Sequence, residues 1–247
     1  MEFGKETIEK IESLVKNSLT VKVGEREYST GKLNPVMYNP KPDTLVVHNL
    51  RGFCGFINND IDSVIKGNPY LIVVNDPKSV DLVSRFDSDD KERTVLISAK
   101  VNKELKEFPF GQFLSQEEFA IRFRSLFVSS KDDDFEYVLS YVSKLAGGTT
   151  IEGDDDGITQ RVTVKRGVSG ALTEKAALKP IVKLTPYRTF REAEQPESEF
   201  LLRVRGDSND APMVALFEAD GGAWVNKATE NVVEYIQSLV NHIPVIA

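Results

Sequence analysis

The apolar residues of this chain change their dominant period near residue 147, from helical steps to strand alternation, and that change limits the folds open to it. Before it they recur every three or four positions, as on the buried stripe of a helix. Ile8, Ile11 and Val15 form one such set; Phe119, Phe123, Leu126 and Phe127 form a second; Phe135, Val138, Leu139, Val142 and Leu145 form a third. After it, Ile158, Val162 and Val164 alternate with Thr159, Arg161, Thr163 and Lys165, and 181–184, 200–204 and 213–217 continue as strands. The sequence therefore predicts an α+β fold: a mixed sheet with helices in the N-terminal half, a helical hairpin, then an antiparallel sheet and a C-terminal helix. A single domain over 1–247 is expected, with a subdomain division near 147–157 left open.

Local signals place the boundaries. Phe53, Phe56, Ile57, Val64 and Ile65 share helical spacing, and Gly67-Asn68-Pro69 has helix-stop chemistry. Tyr70–Val74 and Thr94–Ser98 are short, β-branched and continuously apolar, as buried central strands are. Pro35, Pro40 and Pro42 remove ladder donors, so 21–47 reads as edge strands and turns. Ser115 and Glu118 have the spacing of a capping box, Asp132-Asp133-Asp134 suits the positive end of a helix dipole, and Gly147-Gly148 suits a helix stop. Asn226 is the expected cap of a last helix carrying Val233, Ile236 and Val240.

Composition excludes several classes. Hydrophobic residues make up 40% and charged residues 28%, a globular mix. The N-terminus lacks an apolar run behind a basic cluster, and nowhere do eighteen residues pass without a charge, so neither secretion nor a membrane span is predicted. One cysteine, Cys54, fits a reducing compartment, and a cytoplasmic location is expected.

The obvious candidates for chemistry have plainer explanations. Asp154-Asp155-Asp156-Gly157 places its carboxylates consecutively, whereas a calcium loop alternates them, so it reads as a hairpin loop; Asp87, Asp89 and Asp90 read as an acidic turn. His48 and His242 are the two histidines and have no ligand-like spacing. Cys54 sits among Phe53, Phe56 and Ile57 as a small apolar group. Gly147-Gly148-Thr149-Thr150 lacks the lysine of a phosphate loop, and Gly167-Val168-Ser169-Gly170 is a loop. No catalytic residue, metal site or cofactor is assigned.

What remains is charge. Between Ile158 and Arg205 stand ten Lys and Arg against five Glu, in a chain whose formal net charge is −7. Arg161, Lys165, Lys179, Lys183, Arg188 and Arg191 are the expected anion-binding residues if they share one exposed face. Tyr187 and Phe190 interleave with them, either to stack on a base or to pack inward as a strand edge.

Leu184-Thr-Pro-Tyr-Arg-Thr-Phe190, Gln195-Pro196-Glu-Ser, Phe200-Leu-Leu-Arg-Val-Arg205 and the run into Ile243-Pro244-Val245 resemble the YfdQ-like proteins of phages and prophages. The 50–58 and 114–119 segments resemble them more weakly, and Phe86–Glu92 stands where the family has a Gly/His/Asp-rich turn. The resemblance implies a phage-encoded protein made in the infected cell and not built into the virion. The leading expectation is a non-enzymatic, homo-oligomeric binding protein for a phosphate-bearing ligand, such as a nucleotide signal of host defence. The alternatives are a nucleic-acid accessory protein of phage recombination or replication, and a shell-forming structural protein.

Overall fold

The computed structural model describes residues 4–23, 26–29, 43–85, 93–130, 132–145, 149–155, 160–166, 174–206 and 211–247, with the backbone alone described for 16–23, 26–29, 149–155, 160–166 and 174–177. Contacts fall into two units, Met1–Pro42 and Asp43–Ala247. In the first, helix α1 (Lys5–Leu19) spans the Ile8, Ile11, Val15 stripe. It leads into β1 (Thr20–Val23), which pairs antiparallel with β2 (Arg26–Ser29).

The second unit opens with β3 (Leu45–Val47) and α2 (Leu50–Asn59), followed by β4 (Tyr70–Asp76), β5 (Ser79–Ser84) and β6 (Val95–Lys100). The last three form an antiparallel meander that β3 joins in parallel through β6. Strand β5 has no counterpart among the expected elements, yet it is the middle strand: Val80 and Leu82 alternate inward and are fully buried. The hairpin comes next, with β7 (Leu114–Ser115), α3 (Gln116–Leu126) and α4 (Phe135–Lys144). Then follow β8 (Thr149–Asp155), β9 (Gln160–Arg166) and β10 (Glu174–Ala177), which pair antiparallel as a three-stranded sheet. Finally β11 (Ile181–Leu184), β12 (Ser198–Gly206) and β13 (Pro212–Glu218) precede α5 (Trp224–Leu239) and β14 (Val245–Ile246).

The chain is thus α+β. A mixed sheet runs β14-β4-β5-β6-β3, closed by the parallel pairing of β14 on β4. An antiparallel sheet runs β11-β12-β13-β7. Two apolar cores follow from the two sheets. Phe53 and Ile57 of α2 and Val232 and Ile236 of α5 pack with Ile72, Leu82 and Ile97 of the mixed sheet. Phe119 and Phe123 of α3 and Val138 and Val142 of α4 pack with Leu184, Phe200, Leu202 and Leu216 of the antiparallel sheet. Phe123 stacks on Phe135 at 4.9 Å between ring centroids, joining the two hairpin helices.

Three expected boundaries are corrected. Helix α2 ends at Asn59, so Val64 and Ile65 lie beyond it. Asp60 adopts the left-handed conformation (φ 43°), and its carboxylate accepts the N–H of Ile65 at 2.7 Å and of Lys66 at 3.2 Å. That compact turn buries Ile65 without a helix, which is how the spacing misleads. Helix α5 starts at Trp224, ahead of Asn226; Gly221 and Gly222 at positive φ turn the chain in, and Ala223 at the cap makes no side-chain bond. Ser115 Oγ does accept the Glu118 N–H at 3.3 Å, but the Glu118 carboxylate pairs with Arg122 at 2.6 Å. Residues 30–42, 86–92, 146–148, 156–159 and 167–173, where several proline, acidic-turn and glycine-loop expectations fall, lie outside the described residues. Among the described residues no helix is long and apolar enough to cross a membrane.

Candidate anion-binding cleft

Of the expected cationic residues, Lys179 and Lys183 are ion-paired and Arg188 is buried. Arg161 and Lys165 are on β9 in the three-stranded sheet, and their side chains lie outside the described residues. Lys183 is on β11 in a different sheet, facing outward, with its Nζ 3.7 Å from Glu197. Lys179 Nζ reaches both carboxylate oxygens of Asp134 at 2.7 Å. The Arg191 guanidinium lies 3.7 Å from the Tyr187 ring centroid, so this ring already carries a cation on one face. Phe190 is buried in the mixed-sheet core, the inward packing that the sequence left open.

Arg188 departs furthest from expectation. It is 4% exposed, not on a surface strip. Its Cζ lies 4.6 Å from the Phe110 ring, 5.1 Å from Phe200 and 4.6 Å from Trp224. Nη2 stands 2.8 Å from a Glu218 oxygen, but the approach lacks hydrogen-bond direction, and all three guanidinium nitrogens are without a hydrogen-bond partner among the described residues. Burial lowers its pKa, against the opposing pull of Glu218, Asp220 and Glu107. With that acidic surround, Arg188 is a cation held by the fold.

Positive charge collects elsewhere, in an open cleft of about 530 Å³ at one end of the mixed sheet. Ile57, Ile65 and Ile243 supply apolar wall, Tyr70 an aromatic edge, and Lys66, Arg85 and His242 the basic groups. The turn after α2 presents Lys66: Asp60 holds it from the carboxylate side, Asn68 donates its amide to the Val64 carbonyl at 2.9 Å, and Gly67 takes φ 82°. Arg85, just after β5, is tied back by its N–H to the Pro69 carbonyl at 3.2 Å. The His242–Pro244 turn is anchored by the Ile72 N–H on the Pro244 carbonyl at 2.9 Å, and Asn58 joins α2 to the end of α5 through the Leu239 carbonyl at 3.0 Å.

Among the described residues, Asp60 is the one acidic group lining this cleft. The Ile65 N–H, with help from the Lys66 and Val64 N–H groups and the Lys66 charge, holds its carboxyl below the usual carboxylate value. Both of its oxygens accept backbone protons, so it serves the turn and is not a poised base. Burial and the Asp60 charge push the Tyr70 phenol up, keeping it a neutral donor. Lys66 and Arg85 make no ion pair among the described residues, unlike Lys179, Lys183 and Arg188. The arrangement can accept an anion against an apolar wall.

Sequence reasoning missed this site because its parts are single residues at the ends of distant elements. His242 was visible as one of two histidines, but nothing local links it to Lys66 or Arg85. His48 has a structural place, its Nδ1 lying 2.9 Å from the Lys100 carbonyl. Among the described residues no group of three His, Cys, Asp or Glu is placed to hold a metal ion. No family model, no curated protein and no solved structure matches this chain.

Proposed function

We propose that this is a non-enzymatic binding protein that holds a phosphate-bearing small ligand in the Lys66–Arg85–His242 cleft. The observation that carries the reading is that three basic residues from three separate elements line one partly apolar cleft, Lys66 and Arg85 having no ion-paired carboxylate among the described residues. Cation–anion hydrogen bonds beside low-dielectric walls are stronger than on open surface, which favours this cleft over the expected strand face. There, Asp134 and Glu197 already neutralise Lys179 and Lys183. The YfdQ-like resemblance of 184–205 supports a phage-encoded protein acting in the infected cell.

Titration calorimetry with pyrophosphate and ribose 5-phosphate at low salt tests the site. Lys66→Glu and Arg85→Glu are each expected to weaken binding at least about tenfold, the equivalent of ~1.4 kcal/mol, while Lys179→Glu leaves it unchanged. The reverse pattern returns the site to the strand face, and absence of binding by the parent protein removes the proposal. A salt-sensitive gel shift on single-stranded DNA that Lys66→Glu spares would favour the nucleic-acid alternative.

A further inference from the structure

We propose that α1 is a self-association surface, on which the α1 of a second copy of this chain docks antiparallel. Helix α1 carries Ile8, Ile11 and Leu14 at three-residue steps, a continuous apolar stripe, while Glu6, Glu9, Lys10 and Ser13 occupy the opposite side. On a helix that packs within its own chain such a stripe is covered. Here the three side chains are 50%, 51% and 61% exposed. Three large apolar groups held in one exposed row favour a partner that removes them from water.

The flanking charges choose the partner and its direction. Lys5 stands three residues before Ile8 and Glu12 four after it, so both lie along the same flank of the stripe. When a second α1 is laid antiparallel, so that Ile8 meets the partner's Ile11 and Ile11 the partner's Ile8, that flank meets itself in reverse order. Lys5 then comes opposite the partner's Glu12, and Glu12 opposite the partner's Lys5. Two opposite-charge pairs thus frame the two isoleucine contacts, as such pairs do in setting the orientation of coiled coils. A parallel pair sets the same flank against Thr7 and Leu14, which carry no charge. Lys5 lies 3.9 Å from Glu9 within its own helix, a long and exposed pair that does little to hold it from a partner. A helix about 22 Å long offers a small contact, below the roughly 1,200 Å² of stable interfaces, so association is expected in the micromolar range.

Sedimentation velocity on the full chain at low salt, from about 5 to about 500 μM, tests the proposal. A monomer–dimer equilibrium is expected, and it is expected to be lost when Ile8→Ser and Ile11→Ser are combined. Lys5→Glu and Glu12→Lys each make both charge pairs repulsive and are expected to weaken the dimer at least about fivefold, while the two together regain the parent's affinity. Lys5→Glu places a carboxylate at the positive end of the helix, so weakening by this variant is not loss of α1. A monomer at every concentration, or a dimer that the isoleucine changes leave intact, overturns the proposal. Single charge changes without effect, or a double change no tighter than either single one, overturn the antiparallel pairing.

Discussion

Burying a guanidinium costs free energy unless its nitrogens find acceptors, and Arg188 finds three aromatic rings and one oblique carboxylate. Its contribution is therefore packing and cation–π contact, offset by desolvated donors. Arg188→Ala, which empties the cage, is expected to cost about 2–4 kcal/mol in urea unfolding. Arg188→Met fills similar volume without polar atoms and is expected to stay within about 1 kcal/mol of the parent, or above it. A loss from Arg188→Met as large as from Arg188→Ala would mean that the charge itself holds this region. Cys54 provides a second residue-scale outcome. Burial first, and the Glu192 charge second, push its thiol up to about 11, so the thiolate that reacts is scarce and enclosed. Iodoacetamide near neutral pH is expected to leave Cys54 unmodified in the native protein and to label it once urea unfolds the chain; rapid native labelling would contradict the buried placement. The sequence announced the thiol correctly, because its apolar neighbours are local. It did not announce the Arg188 cage, whose walls come from positions 110, 200 and 224.

At the level of elements, the hairpin shows how local capping signals are redirected by neighbours. The triple aspartate before α4 was legible as helix-start chemistry, and Asp133 does accept the Phe135 N–H at 2.9 Å. Asp134, at the cap position, makes no capping bond; it accepts the Lys183 N–H at 2.9 Å and the Lys179 ammonium, stitching α4 to the antiparallel sheet. The two turn carboxylates Asp133 and Asp60 have opposite pH signatures. Burial raises Asp133 above the ordinary value despite the Phe135 and Thr185 bonds, so near and above about pH 4 the folded state binds more protons than the unfolded. Asp133 therefore favours the fold in acid, and that contribution is lost as pH rises through its folded value. Asp60 is lowered, so its contribution is present above the ordinary value and is lost as pH falls through its folded value. Urea midpoints from about pH 3 to about pH 7 are expected to show a shallower acid limb in Asp60→Asn, and in Asp133→Asn a smaller loss on raising pH just above about 4. Parallel shifts at every pH would refute both assignments.

For the molecule as a whole, every described residue lining the cleft and both apolar cores fall within Asp43–Ala247. A fragment of residues 43–247 is therefore expected to unfold cooperatively in calorimetry and to bind the same phosphate compounds as the full chain; a molten fragment would show that the first unit is required. The α+β class, the hairpin and the C-terminal helix were readable from period alone, because a buried stripe needs 3.6-residue spacing on a helix and two-residue spacing on a strand. Strand β5 was not, since Ser79–Ser84 is a short, weakly apolar run whose central rank comes from pairing with β4 and β6. The same limit separated the basic residues. No spacing within the chain says that β9 and β11 enter different sheets, or that residue 188 points into a core. The sequence alone determined the segments with a clear apolar period, the hairpin helices, the C-terminal helix and the alternating strands, because that period depends on near neighbours along the backbone. Tertiary structure alone decided which basic residues meet: Lys66, Arg85 and His242 line one cleft through the pairing of β14 with β4 and the Asp60 turn, since a cleft belongs to the assembled sheet and to none of its strands.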